Sequence, residues 1–309
     1  MYALEIKQLV KTYKNGIHAL NGINLNVAYG DFFALLGVNG AGKSTTIGLI
    51  TTLLTKTAGT VKICGYDLEK DYELAKLCIG LVPQEFNLNI FETVEQVLIN
   101  QAGFYGIGRK AARSRADYLL HELGLLAKRH CITRQLSGGM KRRLMIARAL
   151  MHDPKILILD EPTAGIDIEI RRGMQEFLLN ENARGKTIIL TTHYLEEAEQ
   201  LCKNIAIIDK GHIIKNTSMQ QLLQTLKYQT LIFNTVNPIE SLPNLQPFIA
   251  KLLDKYTFEL RVQNSISLNQ VFNLLTQHHL DISSVRNKIS RLEELFLDLI
   301  ATSENKSSL

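Results

Sequence analysis

Ala3–Tyr13 and Ile17–Val27 alternate apolar and polar residues on either side of Lys14-Asn15-Gly16. That is the two-residue period of an antiparallel hairpin closed by a turn. Asp31–Leu36 is instead a continuous apolar run ending at Gly37, which predicts a strand buried on both faces. Thr60–Cys64, Ile79–Val82, Lys155–Asp160 and Thr187–Thr191 are further short apolar runs, the last two read as buried parallel strands. Ile205–Ile208 and His212–Ile214 flank the turn Asp209-Lys210-Gly211. Between Ile90 and Met151 the period changes to that of a helix: Phe91, Val94, Val97 and Leu98 share one face, as do Met140, Leu144, Ala147 and Met151. Pro154 closes this region. Lys43–Leu54 is rich in Thr and Ile, and its propensity is ambiguous until the glycine-rich loop before it decides for a helix.

A helical stretch, Met219–Lys227, leads into a segment with Pro238, Pro243 and Pro247 close together, and the charge density falls. The domain boundary is placed near 218–228. The expected organisation is a nucleotide-handling domain over residues 1–222, with a helical subdomain at about 88–152. A small α+β domain follows at 228–301, then a polar tail at 302–309. In the second domain Thr230–Phe233 and Phe258–Val262 read as strands, and Ser267–His278 and Ile289–Ile300 as helices.

The chain has 309 residues and a net charge of +5. From Tyr228 onward it carries 7 Lys/Arg and 8 Asp/Glu, so the excess positive charge lies in the first domain, where it suits polyphosphate or an anionic surface as well as a merely solvated face. Cys64, Cys78, Cys131 and Cys202 form no CxxC pair and have no His at ligand spacing. Reduced thiols in the cytosol are therefore expected rather than a disulfide or zinc framework. The first ten residues have no signal-peptide core, and no apolar run approaches the ~18 residues of a membrane span. Any membrane role would pass through a partner.

Three patterns carry chemistry. Gly37-Val38-Asn39-Gly40-Ala41-Gly42-Lys43-Ser44-Thr45 matches G-x-x-x-x-G-K-[ST]. Its glycines let backbone N–H groups approach phosphate oxygens, and a helix N-terminus adds partial positive charge. Lys43 would reach the β/γ-phosphates and Ser44 a Mg²⁺ ion. Second, Asp160 ends an apolar strand, where the tip of a parallel strand faces the ligand crevice. It is placed to hold Mg²⁺, and neighbouring Glu161 to orient and deprotonate an attacking water. Third, Ser137-Gly138-Gly139 opens a helix in a second anion-binding geometry, with Ser137 as an ordinary N-cap the plainer alternative. Lys141, Arg142 and Arg143 oppose that helix's dipole, a cost an anion would offset. If each nucleotide needs both elements, the simplest solution is two chains paired head-to-tail with two-fold symmetry.

With these motifs in this order, residues 2–222 resemble the ATP-binding cassette (ABC) family. The resemblance implies an α/β P-loop fold: a RecA-like core, an antiparallel β subdomain and a helical subdomain. It implies ATP and Mg²⁺ as ligands and ATP hydrolysis as the activity. It further implies that Tyr13 stacks on adenine and that Gln84, in Leu81-Val82-Pro83-Gln84, senses the γ-phosphate and touches the metal. In the same way Asp167, in Ala164-Gly165-Ile166-Asp167, lies in the D-loop, and His193 is the switch histidine. Lys43, Gln84, Glu161 and His193 would be catalytic. Tyr13, Gly37, Asn39, Gly40, Gly42, Lys43, Ser44, Thr45, Ser137, Gly138, Gly139 and Asp167 would bind nucleotide, and Ser44, Gln84 and Asp160 the metal. Val38 stands where the family usually has Pro, and Met140 where it has Gln.

Met140-Lys-Arg-Arg-Leu144 and Arg291-Leu-Glu-Glu-Leu-Phe-Leu297 are similar to the ABC-2 exporter branch. That implies an ATPase subunit that dimerises on ATP and drives a separate multi-helix permease from the cytoplasmic face of the inner membrane. Glu85–Phe91 interleaves Phe86, Leu88, Ile90 and Phe91 with polar residues; the resemblance implies packing against the permease, and core packing in the helical subdomain is the alternative. The alternative function is a soluble ABC ATPase acting on nucleic acid, ribosomes or cofactor assembly; a single cassette without long coiled coils argues against it, and no nucleic-acid partner is expected. The second domain reads as a dimerising or stabilising element, with ligand sensing the other possibility.

Overall fold

The computed structural model describes residues 1–296. Residues Met1–Ser218 form one compact unit, and the chain from Met219 onward a second. In chain order the first unit contains β1 (Tyr2–Thr12), β2 (His18–Ala28), β3 (Phe32–Leu36), α1 (Lys43–Ile50), β4 (Ala58–Ile63), β5 (Tyr66–Asp67), α2 (Tyr72–Leu77), β6 (Ile79–Val82), α3 (Val94–Phe104), α4 (Arg109–Glu122), α5 (Gly138–Ala149), β7 (Ile156–Asp160), α6 (Ile168–Ala183), β8 (Thr187–Thr191), α7 (Leu195–Leu201), β9 (Asn204–Asp209) and β10 (His212–Ser218).

Two sheets organise this unit. The larger runs β10-β9-β3-β8-β7-β6. Its members β9, β3, β8, β7 and β6 are parallel, and β10 closes the edge as an antiparallel hairpin partner of β9. β3, β7 and β8 are buried almost throughout, as their unbroken apolar runs require when both faces are covered. The smaller sheet, β2-β1-β4-β5, is antiparallel, and its alternating residues bury one face. Leu4, Ile6, Leu25 and Val61 of that face share one core with Ile47 and Ile50 of α1 and with Phe33 and Leu35 of β3.

α1 ends at Ile50, four residues before the expected Leu54. Thr52 turns into the left-handed region at φ 62°. The chain then doubles back, and the Leu54 N–H donates to the Gly48 carbonyl at 2.9 Å. A Cβ on Gly48 would lie 2.8 Å from the Leu54 side chain, so the glycine makes room for this return. In the helical region α3 opens with a reciprocal cap. Thr93 Oγ1 accepts from Gln96 N–H at 3.2 Å, and Gln96 Oε1 accepts from Thr93 N–H at 2.8 Å.

The second unit contains α8 (Met219–Gln224), β11 (Tyr228–Thr235), β12 (Ile249–Asp254), β13 (Thr257–Gln263), α9 (Leu268–Gln277) and β14 (Ile282–Asn287). Its sheet is antiparallel in the order β12-β13-β11-β14. Leu231, Phe233, Phe258, Leu260 and Val262 pack with Val271 and Leu275 of α9. α8 stops short of Lys227 because Thr225 Oγ1 donates to the Leu222 carbonyl at 2.7 Å and ends the turn. β12 and β14 have no clear sequence signal: both are edge strands, and Ser283–Asn287 is largely polar and exposed. Of the expected Ile289–Ile300 helix, residues 291–296 are helical; Leu297 of the closing motif and the tail 302–309 lie outside the described residues.

Candidate functional site

The carboxyl ends of the parallel strands bring the chemistry together. The phosphate loop leaves β3, which lies between β9 and β8; Asp160 ends β7 and pairs in register with Thr191, the last residue of β8. Gln84 follows β6 by two residues, and His193 follows β8 by two. Strand order alone therefore gathers residues separated by more than a hundred positions.

The loop is shaped by glycines that have no substitute. A Cβ on Gly37 would sit 2.3 Å from the Ile208 carbonyl of β9. Gly40 and Gly42 have φ of 81° and 115°, a region that L side chains rarely adopt. Gly42 caps α1 with no side chain, so the helix's first N–H groups and the loop face the same space. Lys43 is only 8% exposed. Its ammonium donates to the carbonyls of Gly37 at 2.7 Å and Val38 at 3.1 Å. Burial pulls its pKa down, and the charges of Glu161 and Asp160 pull it back up. Ser44 and Asn39 are exposed on this rim. Thr45 Oγ1 meets the Tyr13 hydroxyl at 3.2 Å, which carries the half-buried Tyr13 to the mouth of the loop.

Asp160 accepts a hydrogen bond from Thr191 Oγ1 at 2.5 Å. Burial raises its pKa above the usual carboxylate range and the charge of Glu161 adds to this, while the Thr191 bond, Lys43 and Arg142 act the other way. Glu161 adopts φ 48°, a strained conformation for a side-chain-bearing residue. Its N–H donates to the Thr191 carbonyl at 3.0 Å, which holds the strained turn. The Oε2 atom of Glu161 lies 3.0 Å from Gln84 Nε2 and 3.2 Å from His193 Nδ1. Lys43, Gln84, Asp160, Glu161 and His193 thus form one cluster.

The donors suit a small hard cation that shares its coordination with phosphate: a carboxylate on Asp160, a hydroxyl on Ser44 and the amide of Gln84. Among the described residues no group of three or more His, Cys, Asp or Glu could hold a metal by itself.

Ser137, Gly138 and Gly139 are built differently. Ser137 Oγ accepts from the Met140 N–H at 3.3 Å and caps α5. Gly138 is exposed with nothing within 4 Å of a would-be Cβ, whereas Gly139 is buried and a Cβ there would lie 2.7 Å from Ile170 Cδ1. Gly139 is thus required by packing on α6. Asp167 is exposed at the start of α6.

The cations that follow correct one expectation. Arg142 does not face an anion at the helix start; it is 3% exposed and turns inward. Its guanidinium donates to the carbonyls of Pro83 at 2.6 Å and Gln84 at 2.7 Å and lies over the Phe86 ring. Arg143 donates to the Leu123 carbonyl. Arg142 is thus a site-shaping residue that sequence reasoning missed, as is Thr191. Three cations opposing a helix dipole is the available signal, and for Arg142 the offset comes from the carbonyls of Pro83 and Gln84.

Residues 20–164 match the family described as ABC transporter. The linearmycin resistance ATP-binding protein of Bacillus subtilis (strain 168) is 38% identical over 288 residues, covering 91% of this chain and 93% of that one. The chain belongs to the ABC transporter family. A Nod factor export ATP-binding protein of Burkholderia pseudomallei (strain 1710b) is 37% identical over 246 residues, covering 79% of this chain and 81% of that one. Among solved structures, an ATP-binding subunit of an ABC transporter superposes with a TM-score of 0.67 at 31% identity, covering 72% of this chain and 92% of its own. A dimeric ATP-binding cassette in a post-hydrolysis state with ADP and Pi gives 0.64 at 31%, covering 70% and 98%. The Bacillus match at 91% runs well past Ser218, so the likeness includes part of the second unit. This ABC protein is an ATP-binding, ATP-hydrolysing transport subunit of exporter type. Among its described residues no helix is long and apolar enough to cross a membrane.

Proposed function

We propose that this ABC protein is the ATPase subunit of an ABC-2 type exporter, working as a head-to-tail dimer beneath a separate multi-helix permease at the cytoplasmic membrane face. The observation that carries the reading is the single cluster of Lys43, Gln84, Asp160, Glu161 and His193 at one sheet edge, with the Ser137 element finished as a separate surface. In each chain the loop from Gly37 to Thr45 holds the ATP phosphates and Tyr13 the adenine. Ser137, Gly138 and Asp167 of one chain complete the site of the other.

Glu161 accepts a proton from the attacking water and aims it at the γ-phosphate. His193 and Gln84, both on Glu161 Oε2 in this structure, orient that carboxylate and sense the phosphate. Ser44, Asp160 and Gln84 would hold Mg²⁺, which supplies charge neutralisation on the phosphate oxygens. Lys43 stabilises the charge that develops as the bond breaks. Export is supported by the names of the resistance and Nod factor export relatives and by the Met140–Leu144 sequence.

The test is to purify the protein from detergent-solubilised membranes under Mg-ATP. Co-purification of one multi-helix membrane protein that raises the ATPase rate is the expected result. Recovery with ribosomes or nucleic acid and no membrane protein would overturn the reading.

A further inference from the structure

Glu197 stands in the first turn of α7 and is 4% exposed, a buried carboxylate that the hydrolysis scheme leaves unused. Burying such a group is costly unless its oxygens are occupied, and here both are. Oε2 accepts from Thr163 Oγ1 at 2.8 Å and from Thr192 Oγ1 at 3.1 Å. Oε1 accepts from Gln175 Nε2 of α6 at 3.2 Å.

The identity of these donors gives the cluster its meaning. Thr163 is two residues beyond Glu161 and four before Asp167. Its own carbonyl accepts from Ile166 N–H, which shapes the turn leading to Asp167. Thr192 immediately precedes His193, and its hydroxyl also accepts the Tyr194 N–H at 3.0 Å. Two separate loops therefore hang on one oxygen atom, and the helix behind them is tied to the other oxygen of the same group. Thr163 and Thr192 are themselves buried, at 1% and 2% exposure, so water does not compete for these bonds.

We propose that Glu197 is a positioning residue for ATP hydrolysis, locking the segment that leads to Asp167 and the loop that carries His193 into one rigid unit. This rests on the roles proposed above for Asp167 and His193. With Asp167 at the partner surface and His193 on Glu161, the lock makes closure of the dimer and alignment of Glu161 a single event. Glu197 is buried with its oxygens taken by Thr163, Thr192 and Gln175, and acts through these two loops.

The test compares Glu197→Ala, Thr163→Val, Thr192→Val and the double Thr variant in the full-length protein, with His193→Ala alongside. Glu197→Ala is expected to lower kcat about tenfold to a hundredfold, the range that a displacement of about 1 Å in a catalytic group produces. ATP affinity should stay within about twofold, because Lys43 and Tyr13 are untouched. The two valine substitutions remove one hydroxyl each at constant shape. Since both cut the same lock, the double variant should lose little more rate than the worse single one. A residue that merely stabilises the fold would lower the melting temperature and leave kcat intact below it, and any small rate losses in the two Thr variants, having no shared cause, would simply add. If Glu197→Ala does not fold, the valine series decides alone: wild-type kcat in both singles, or additive losses, sinks the proposal. Wild-type kcat in a folded Glu197→Ala beside a slow His193→Ala also overturns it while leaving the role of His193 standing. Wild-type kcat in His193→Ala would instead bring down the underlying reading and the lock with it.

Discussion

Two helices of this ABC protein begin on glycine-flanked turns, and they are completed in opposite ways. α1 has a bare glycine cap at Gly42 with no side-chain bond, and Lys43, Asp160, Glu161 and Gln84 converge around its loop. α5 is capped by its own Ser137, with exposed Gly138 beside it, and its Arg142 and Arg143 turn away to the carbonyls of Pro83, Gln84 and Leu123. The first is a site whose groups come from one chain. The second presents an exposed glycine beside a serine cap, and its Arg142 and Arg143 are engaged by carbonyls of the same chain. The difference teaches that a helix N-terminus becomes a catalytic site through what the sheet brings to it; in the proposed head-to-tail dimer Ser137 has its use on the other molecule.

The sharpest way to break this contrast is at Glu161. Glu161→Gln should lower the ATPase rate about a hundredfold to ten-thousandfold, the usual contribution of a general base. It should also accumulate an ATP-bound dimer by gel filtration; a wild-type rate would remove Glu161 from the chemistry. Next is complementation. Lys43→Ala and Ser137→Arg should each be inactive, and an equal mixture should recover up to about a quarter of the wild-type rate. Random pairing makes half the dimers mixed, each with one intact site of two. No recovery would place Ser137 and Lys43 in the same site.

A third measurement concerns Asp160, whose pKa burial raises in the fold. The folded state then holds this proton more tightly than the unfolded one, so the contribution to stability is greatest below the unfolded pKa of about 3.9 and is lost as pH rises through the folded value. Asp160→Asn should therefore melt higher than wild type at pH 7 without nucleotide. The advantage should vanish near pH 4, and ATP hydrolysis should be lost throughout. Equal melting at pH 7 would show that the carboxylate is not penalised. The smallest effects separate the two glycines of the Ser137 element. Gly139→Ala forces a contact on Ile170 and should cost about 1–3 kcal/mol by chemical denaturation, partly restored by Ile170→Ala. Gly138→Ala should change stability by no more than about 0.5 kcal/mol yet still slow hydrolysis if the partner's nucleotide lies against it.

Most of the first unit was legible because its strands are buried on both faces and its loops carry residues that only phosphate chemistry or tight turns require. Apolar runs at β3, β7 and β8 had no other place to go, and the Asp160–Glu161 pair followed from the strand it ends. What escaped was decided by three-dimensional neighbours. Nothing in Thr51–Leu54 says that the chain doubles back; the fit of Leu54 against Gly48 does. The direction of Arg142 depends on carbonyls 58 and 59 residues away. β14 is an edge strand whose polar, exposed residues look like loop, because pairing on one side relaxes the demand for apolar residues. Gly139 was assigned to phosphate, and its closest neighbour is a side chain of α6.

The guanidinium of Arg142 has one further consequence. It fastens the helix that begins at Ser137 to the stretch containing Gln84, whose amide reaches the acid of its own chain's site. In the proposed head-to-tail dimer, where Ser137 serves the partner, a change that one nucleotide makes at Gln84 would pass through this bond to the surface offered to the other nucleotide. Linkage then runs both ways with the same free energy. The two sites of a dimer should answer ATP as a pair, with a response steeper than two independent binding curves, and the steepness should depend on a bond that touches neither ligand.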